Sequence, residues 1–409
     1  MYQVKMKFGI IADDLTGALD TGLEFWKKGL KTVVVTSSLS IAEHARRFDA
    51  IAVCTSSRLS SPREARDKVA KAAARLKKHG AKFFYKKVDS TLRGNIGTEI
   101  EAVMDELQIR TTIIVPALPE QGRVVMNGNL LVDGKPLDKT NFKRDPINPI
   151  SEPNIPALIE GQTRKKVGLI TLPTVRENLV REIEALKRRG VNIIVLDAVT
   201  RKDLGRIAES IAKTGLSRLS CGSSGLAAEL PFAFGLCDRP QPTVVLSGSL
   251  NPVTKAQIMK MEKTLDPFVV KFDPKFFVKR FNHCLKDLDK VLEAVKGGQD
   301  TVLCLWNGEG FYKSEKDRAL SSFRRVVRKI TSKERFGNLV VVGGETASQA
   351  CRAMGTNAIE IEDEVDLGIA CARILNGKLK GIRIVTKAGG FGEENALVKA
   401  VDFLKMRRR

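Results

Sequence analysis

Two adjacent acids, Asp13 and Asp14, follow the apolar run Phe8 to Ala12 and precede a helix-like segment beginning near Leu15. A buried parallel strand reads as continuous apolar residues, and open α/β sheets bind ligands beyond the carboxyl ends of their strands, so the pair stands where chemistry is usually done. A helix N-cap explains one of these acids but not both. A second polar cluster, Lys87-Val88-Asp89-Ser90 with Arg93, follows the strand-like run Lys82 to Lys86. Lys and Arg suit a carboxylate or phosphate there, Arg bidentately, while Asp89 and Ser90 suit hydroxyl groups or the capping of the next helix. Arg58, just beyond the run Ala50 to Cys54, projects from the same edge as a third anion contact.

Glycine turns recur in the second half of the chain. Val340 to Val342 leads into Gly343-Gly344-Glu345-Thr346, a strand, a glycine pair and a helix start whose bare amides favour an anion. Ser247-Gly248-Ser249 before Asn251-Pro252 repeats that form, as does Gly389-Gly390 after the run ending at Thr386. One such turn is ordinary turn geometry, whereas three in one half of the chain point to a phosphate site. Gly128 to Lys135 imitates a P-loop, but it has one residue too many between its glycines and Pro136 where Ser or Thr belongs. No Gly-x-Gly-x-x-Gly fingerprint follows a strand, which leaves a nicotinamide enzyme without support.

Groups held this way need parallel strands that end level, and the chain supplies candidates. Strands are expected at Phe8 to Ala12, Thr32 to Val35, Ala50 to Cys54, Lys82 to Lys86, Thr112 to Val115, Val167 to Ile170, Asn192 to Leu196, Val244 to Ser247, Thr301 to Trp306, Asn338 to Val342 and Arg383 to Thr386. Helical patterns alternate with them, among them Pro62 to His79, Val175 to Arg189, Asp203 to Thr214 and Pro252 to Leu265. That alternation is the sequence form of an α/β fold with mainly parallel sheets flanked by helices. With 409 residues two domains are expected, and Pro231 to Pro242 interrupts the pattern, giving one domain over 1–235 and a second over 243–409. Pro116 to Pro156 reads as a long, strand-poor functional loop that frames the cleft.

Composition narrows the classes. Apolar residues at 43% and charged residues at 28% are ordinary for a globular protein, and no apolar run is long enough to span a bilayer. Residues 1–7 lead straight into a strand, leaving no room for a signal peptide, so a cytoplasmic location and no membrane partner are expected. Seven scattered cysteines without a Cys-x-x-Cys pair argue against a disulfide framework or a zinc site, and the protein itself offers no confident metal ligands. Only His44, His79 and His283 are available, so carboxylates are the expected acid-base groups. The net charge of +22 favours anionic partners, although Arg63 to Lys78 and Arg318 to Lys333 read as solvated helix faces and Arg407-Arg408-Arg409 as a free tail. Aromatics at 6% are not interleaved with the basic clusters, which counts against nucleic acid as the partner. A non-catalytic binder of anionic ligands or nucleic acid is the competing class. A homodimer is expected only from the general frequency of symmetric oligomers.

Ala12-Asp13-Asp14-Leu15-Thr16-Gly17-Ala18, Lys86-Lys87-Val88-Asp89-Ser90-Thr91-Leu92-Arg93-Gly94-Asn95, Ser247-Gly248-Ser249 and Lys387-Ala388-Gly389-Gly390-Phe391-Gly392 together resemble the four-carbon acid sugar kinase family. Gly122-Arg123, Asn127-Gly128, Arg144-Asp145-Pro146 and Cys221-Gly222-Ser223-Ser224-Gly225-Leu226 extend the resemblance in the family's order. It departs at Glu345, where the family more often has Asp, and at Asn251, where Ser is usual. The resemblance implies an N-terminal domain that binds a sugar acid, a C-terminal domain that binds ATP, and an active site in the cleft between them. The terminal hydroxyl of 3-oxo-tetronate, threonate or erythronate would become the 4-phosphate, with Mg²⁺ carried by ATP. Asp13 or Asp14, Arg58, Lys87, Val88, Asp89 and Ser90 would contact the sugar acid, supported by Arg93. Ser247 or Ser249, Gly343, Gly344, Glu345, Thr346, Gly389 and Gly390 would contact ATP. The implied base is Asp14, with Asp13 and Asp89 as the other candidates.

Overall fold

The computed structural model describes residues 6–144, 152–274, 281–306, 316–333 and 336–406. Residues 1–5, Asp145 and Pro146 of the Arg144-Asp145-Pro146 motif and the Arg407-Arg408-Arg409 tail lie outside the described residues, as does the side chain of His283. The chain forms two compact units, one extending to Asp238 and the other covering Arg239–Met406. Among the described residues no helix is long and apolar enough to cross a membrane.

The first unit is built on β1 (Phe8–Ala12), β2 (Thr32–Val35), β3 (Ala50–Cys54), β4 (Phe83–Lys87) and β5 (Thr112–Val115). After a small meander of β6 (Arg123–Met126), β7 (Asn129–Val132) and β8 (Lys135–Pro136), the main sheet is completed by β9 (Val167–Ile170), β10 (Ile193–Leu196) and β11 (Leu219–Gly222). Its order is β2-β3-β1-β4-β11-β5-β10-β9, and every pairing in it is parallel. The chain reverses its direction of travel across the sheet around β1, which creates the crevice that ligands of open α/β sheets use. Register pairs Ala12 with both Cys54 and Lys87, so β1, β3 and β4 stop level and release Asp13, Thr55 and Val88 at one height.

The expected strand-poor stretch from Pro116 to Pro156 is corrected by that meander. Its two hairpins turn at Asn127-Gly128 and Asp133-Gly134, all four residues having positive φ, the combination that closes a two-residue turn matching strand twist. The P-loop imitation at Gly128 to Lys135 is therefore β7 with its turns. Asp197, just past β10, pins this meander by accepting the N–H groups of Asn127 (2.7 Å), Gly128 (2.9 Å) and Leu172 (3.0 Å). The single helix expected over Val175 to Arg189 is two, Leu172–Glu177 and Leu179–Arg188, broken at Asn178.

The second unit contains β12 (Thr243–Ser247), β13 (Phe268–Phe272), β14 (Thr301–Leu305), β15 (Asn338–Val342), β16 (Ile359–Asp366), β17 (Ile369–Ile374) and β18 (Arg383–Lys387). Its sheet runs β13-β14-β12-β15-β18-β17-β16, parallel as far as β18 and antiparallel through β17 and β16. Val342 pairs with both Ser247 and Lys387, so β12, β15 and β18 also stop level. Gly248, Gly343 and Ala388 begin three adjacent turns at that edge.

Candidate active site

Asp14 and Asp13 divide the two tasks that their adjacency left open. Asp14 is the N-cap of the helix Leu15–Lys27, its Oδ1 accepting the Gly17 N–H at 2.8 Å. Asp13 is buried and receives a bidentate fork from Arg58, Nε to Oδ2 at 2.6 Å and one terminal nitrogen to Oδ1 at 3.2 Å. The same guanidinium reaches Asp14 Oδ2 at 2.9 Å and Asp89 Oδ1 at 3.4 Å. Three carboxylates from the ends of β1 and β4 thus share one cation from the loop after β3. Burial would lower the Arg58 pKa, but the hydrogen bond and charge of Asp13, with Asp89 and Asp14, outweigh it and raise it.

Asp89 does not cap the next helix, which begins at Ile96 after Asn95 with no side-chain cap. It closes its own turn instead, taking Thr91 Oγ1 at 2.5 Å and the Arg93 guanidinium at 2.8 and 3.1 Å. Burial alone would raise its pKa; the Arg93 hydrogen bonds, the Arg58 charge and the Thr91 hydroxyl reverse this and hold the carboxyl far below its usual range. Because the folded-state value is depressed, Asp89 contributes stability that is present above the unfolded value near pH 4 and is lost as pH falls through the folded one. Asp89→Asn is accordingly expected to destabilise the first unit at neutral pH, with the deficit relative to the parent shrinking as pH falls below about 4. Urea midpoints followed by Trp26 fluorescence in a Trp306→Phe background check this, and a deficit independent of pH would contradict it.

Lys87 lies beside these acids, its ammonium in no hydrogen bond or ion pair among the described residues, close to Gly17, where an added Cβ would come within 3.0 Å of Nζ. Burial lowers its pKa, while the charges of Asp13, Asp20, Asp89 and Asp14 act in the opposite direction. The neighbouring Lys86 points the other way, as alternation along a strand requires, into an ion pair with buried Glu99 at 2.7 Å. Glu99 also accepts the Ser57 hydroxyl at 2.6 Å, which ties the Arg58 loop to the helix Ile96–Leu107. Val88 has a buried side chain and gives its N–H to Gly222, so it offers the site no polar side-chain group; Ser90 is half-buried at the same edge.

Glu99, Thr91 and Arg123 were not singled out by sequence reasoning. Arg123 begins β6, bonds Gln121 through one terminal nitrogen and leaves a buried Nε without an acceptor. Burial lowers its pKa; Asp89 acts to raise it, Arg93 to lower it, and Asp133 and Asp20 to raise it, which places Arg123 in the same electrostatic neighbourhood. Gly122-Arg123 had surfaced only within the family resemblance.

In the second unit the three turns form a tight backbone cradle. Among the described residues Ser247 Oγ is buried without a partner, and a Cβ at Gly248 would overlap Thr346 Oγ1. Gly343 has φ +104°, and its turn opens the helix Gly344–Met354 with no side-chain cap at that N-terminus, beside Thr346. Glu345 is exposed in that first turn. A Cβ at Gly389 would overlap Ser249 Oγ, whose oxygen already accepts the N–H of Asn251 at 3.2 Å. Asn251 caps the helix Pro252–Leu265, so its departure from Ser preserves an N-cap. An unpartnered hydroxyl, a helix N-terminus without a side-chain cap and no space for side chains suit a polyphosphate. Among the described residues no group of three or more His, Cys, Asp or Glu side chains is placed to hold a metal ion.

Residues 8–230 match the sugar-binding N-terminal domain family and residues 244–397 the nucleotide-binding C-terminal domain family. The chain is 31% identical to a D-erythronate kinase of Heliobacterium modesticaldum, covering 97% of this chain and 96% of that one. It is 31% identical to a D-threonate kinase of Salmonella typhimurium, over 98% and 99% of the two chains, and 29% identical to a 3-oxo-tetronate kinase of Haemophilus influenzae, over 95% and 97%. A crystal structure from Bordetella bronchiseptica, a domain-swapped dimer with bound citrate, matches with TM-score 0.56 at 27% identity, covering 98% of this chain and 99% of that one. With both halves matched and relatives aligned over nearly the full length, the chain belongs to the four-carbon acid sugar kinase family.

Proposed function

We propose that this protein is an ATP-dependent kinase that phosphorylates the terminal hydroxyl of a four-carbon sugar acid, 3-oxo-tetronate, threonate or erythronate, to the 4-phosphate. The observation that carries the reading is the pairing, at one strand edge, of three carboxylates fixed on Arg58 with the unpaired ammonium of Lys87. A polyhydroxy acid needs acceptors for its hydroxyls and a cation for its carboxylate, and both are present there. Lys87 takes the substrate carboxylate, with the unpartnered Arg123 Nε as a second donor. Asp13 and Asp89 hold Arg58 and accept sugar hydroxyls, and Arg93 secures Asp89.

Asp14 is the best base of the three acids. Asp89 is held too far below its usual range to take a proton readily, and Asp13 is buried under the bidentate fork of Arg58. Both Asp14 oxygens are also engaged, Oδ1 by the Gly17 N–H and Oδ2 by Arg58 at 2.9 Å, but its side chain is 29% exposed against 4% for Asp13 and 9% for Asp89, so it is the acid that solvent and substrate reach. It would accept the hydroxyl proton as the sugar oxygen bonds to the γ-phosphorus and the bond to the β–γ bridging oxygen breaks. Ser247, Ser249, Gly343 to Thr346, Gly389 and Gly390 would seat the triphosphate. Mg²⁺ is proposed to arrive on ATP, as expected of an ion that binds substrate phosphates in preference to a protein cage, and when bound it would offset charge on the transferring oxygens. The dimeric relative from Bordetella bronchiseptica supports a homodimer here.

The test is a coupled ADP-release assay with Mg·ATP across D- and L-threonate, D- and L-erythronate and their 3-oxo forms. Turnover on at least one is expected, with Asp14→Asn lowering kcat by about 10²-fold or more. No turnover on any of them ends the substrate assignment. Asp14→Asn at parental kcat, with Asp89→Asn inactive, would move the base.

A further inference from the structure

The turn Ala388 to Glu393, at the strand edge of the second unit, keeps one internal backbone bond, Phe391 N–H to the Ala388 carbonyl at 3.2 Å, and is otherwise held by side chains that donate to its carbonyl groups. Lys387, the buried last residue of β18, donates from Nζ to the carbonyls of Ala388 at 2.8 Å, Gly389 at 3.3 Å and Phe391 at 2.8 Å. Gln257 Nε2, from the helix Pro252–Leu265, donates to Phe391 at 3.0 Å, Gly392 at 3.0 Å and Glu393 at 2.9 Å. Thr254 Oγ1 adds a bond to the Gly389 carbonyl at 2.6 Å.

In a planar trans peptide the C=O of one residue and the N–H of the next point in opposite directions. Drawing the carbonyls of Ala388, Gly389, Phe391 and Gly392 inward therefore turns the N–H groups of Gly389, Gly390, Gly392 and Glu393 outward. Among the described residues those four amides donate no hydrogen bond to the protein, and the turn is exposed apart from half-buried Gly389. Two successive pairs of outward amides, Gly389-Gly390 and Gly392-Glu393, flank the inward Phe391 N–H and offer an anion nest.

We propose that Lys387 is a positioning residue for the phosphate donor: with Gln257 it holds the carbonyls of this turn inward and so aims the amides of Gly389, Gly390, Gly392 and Glu393 at phosphate oxygens. This rests on the reading of the second unit as the nucleotide seat. Lys387 itself does not touch the phosphates; its ammonium is fully engaged by backbone carbonyls. Burial lowers its pKa to about 8, which fits a cation whose only partners are peptide dipoles. Gln257 contributes the same kind of bond without charge.

ADP affinity by titration calorimetry, KM for ATP, KM for the sugar acid and kcat would be measured for the full chain, Lys387→Met, Lys387→Gln and Gln257→Leu, with folding checked by circular dichroism. Lys387→Met is expected to weaken ADP binding and raise the KM for ATP by about tenfold or more, leaving the sugar-acid KM within about twofold. Lys387→Gln, which keeps a donor but no charge, is expected to recover part of that loss, and Gln257→Leu to weaken ADP in the same direction. If the unmodified protein binds neither ADP nor ATP, the nucleotide-seat reading fails. If it binds them and folded Lys387→Met does so equally well, the inference fails while that reading stands. Lys387→Gln no better than Lys387→Met would overturn positioning in favour of a direct charge contact. If Lys387→Met does not fold, Lys387→Gln and Gln257→Leu decide the matter, parental ADP affinity in both being the overturning result.

Discussion

Arg58→Met is expected to reduce kcat/KM for the sugar acid by about 10³-fold or more while leaving the KM for ATP near its parental value. Methionine retains much of the apolar stem but removes the cation on which Asp13, Asp14 and Asp89 converge. Three carboxylates that close together cannot all stay charged and in place; they take up protons or separate, and either response destroys the acceptor geometry. Asp89 retains Arg93, so the damage should concentrate on Asp13 and Asp14. Arg58→Lys is expected to recover little, because a single ammonium cannot fork Asp13 and reach two further carboxylates. Steady-state kinetics varying each substrate in turn separates the outcomes. A kcat/KM within about threefold of the parent for Arg58→Met would remove Arg58 from the centre of the site.

How much of this was legible depends on how local the signal is. The parallel strands carry continuous apolar runs, so β1, β3 and β15 emerged with their observed limits, and the acids and glycines that follow them fell into place at the strand edges. Elements whose stability comes from neighbours did not. β11 is Leu-Ser-Cys-Gly, half polar, and is a strand because β4 and β5 pair with it on both sides. β16 is an acidic edge strand, mostly exposed, whose alternation is interrupted by register shifts against β17. The meander is different: Asn127-Gly128 and Asp133-Gly134 are strong hairpin signals, missed because Gly and Pro in that region were read collectively as loop. At the site, the sequence could place Asp13 and Asp14 side by side but could not say which caps the helix, since that turns on the backbone direction at Asp14. Nor could it pair Lys86 with Glu99, because a strand lysine ordinarily reads as a solvated group and its partner lies on another element.

That hidden pair carries the largest expected effect on stability. Lys86 Nζ and Glu99 Oε2 meet at 2.7 Å with both side chains at most 2% exposed, and Lys86 also donates to the Lys87 carbonyl at 2.6 Å. Removing one partner of a buried ion pair strands the other charge away from water, at about 3–5 kcal/mol. Glu99→Ala is therefore expected to destabilise the first unit by that order, read as a shift in the urea midpoint of Trp26 fluorescence in the Trp306→Phe background. A cost below about 1 kcal/mol would show that the ammonium finds water or another partner. The double substitution Lys86→Met/Glu99→Leu removes both charges and keeps comparable volume, so it should return most of the lost stability. It should not return activity, because Glu99 also accepts the Ser57 hydroxyl at 2.6 Å, one of the bonds that fix the loop presenting Arg58 to the three aspartates. A double variant that is stable yet still weak in kcat/KM for the sugar acid would separate the two roles of Glu99: neutralising a buried lysine and positioning the guanidinium on which the site is organised.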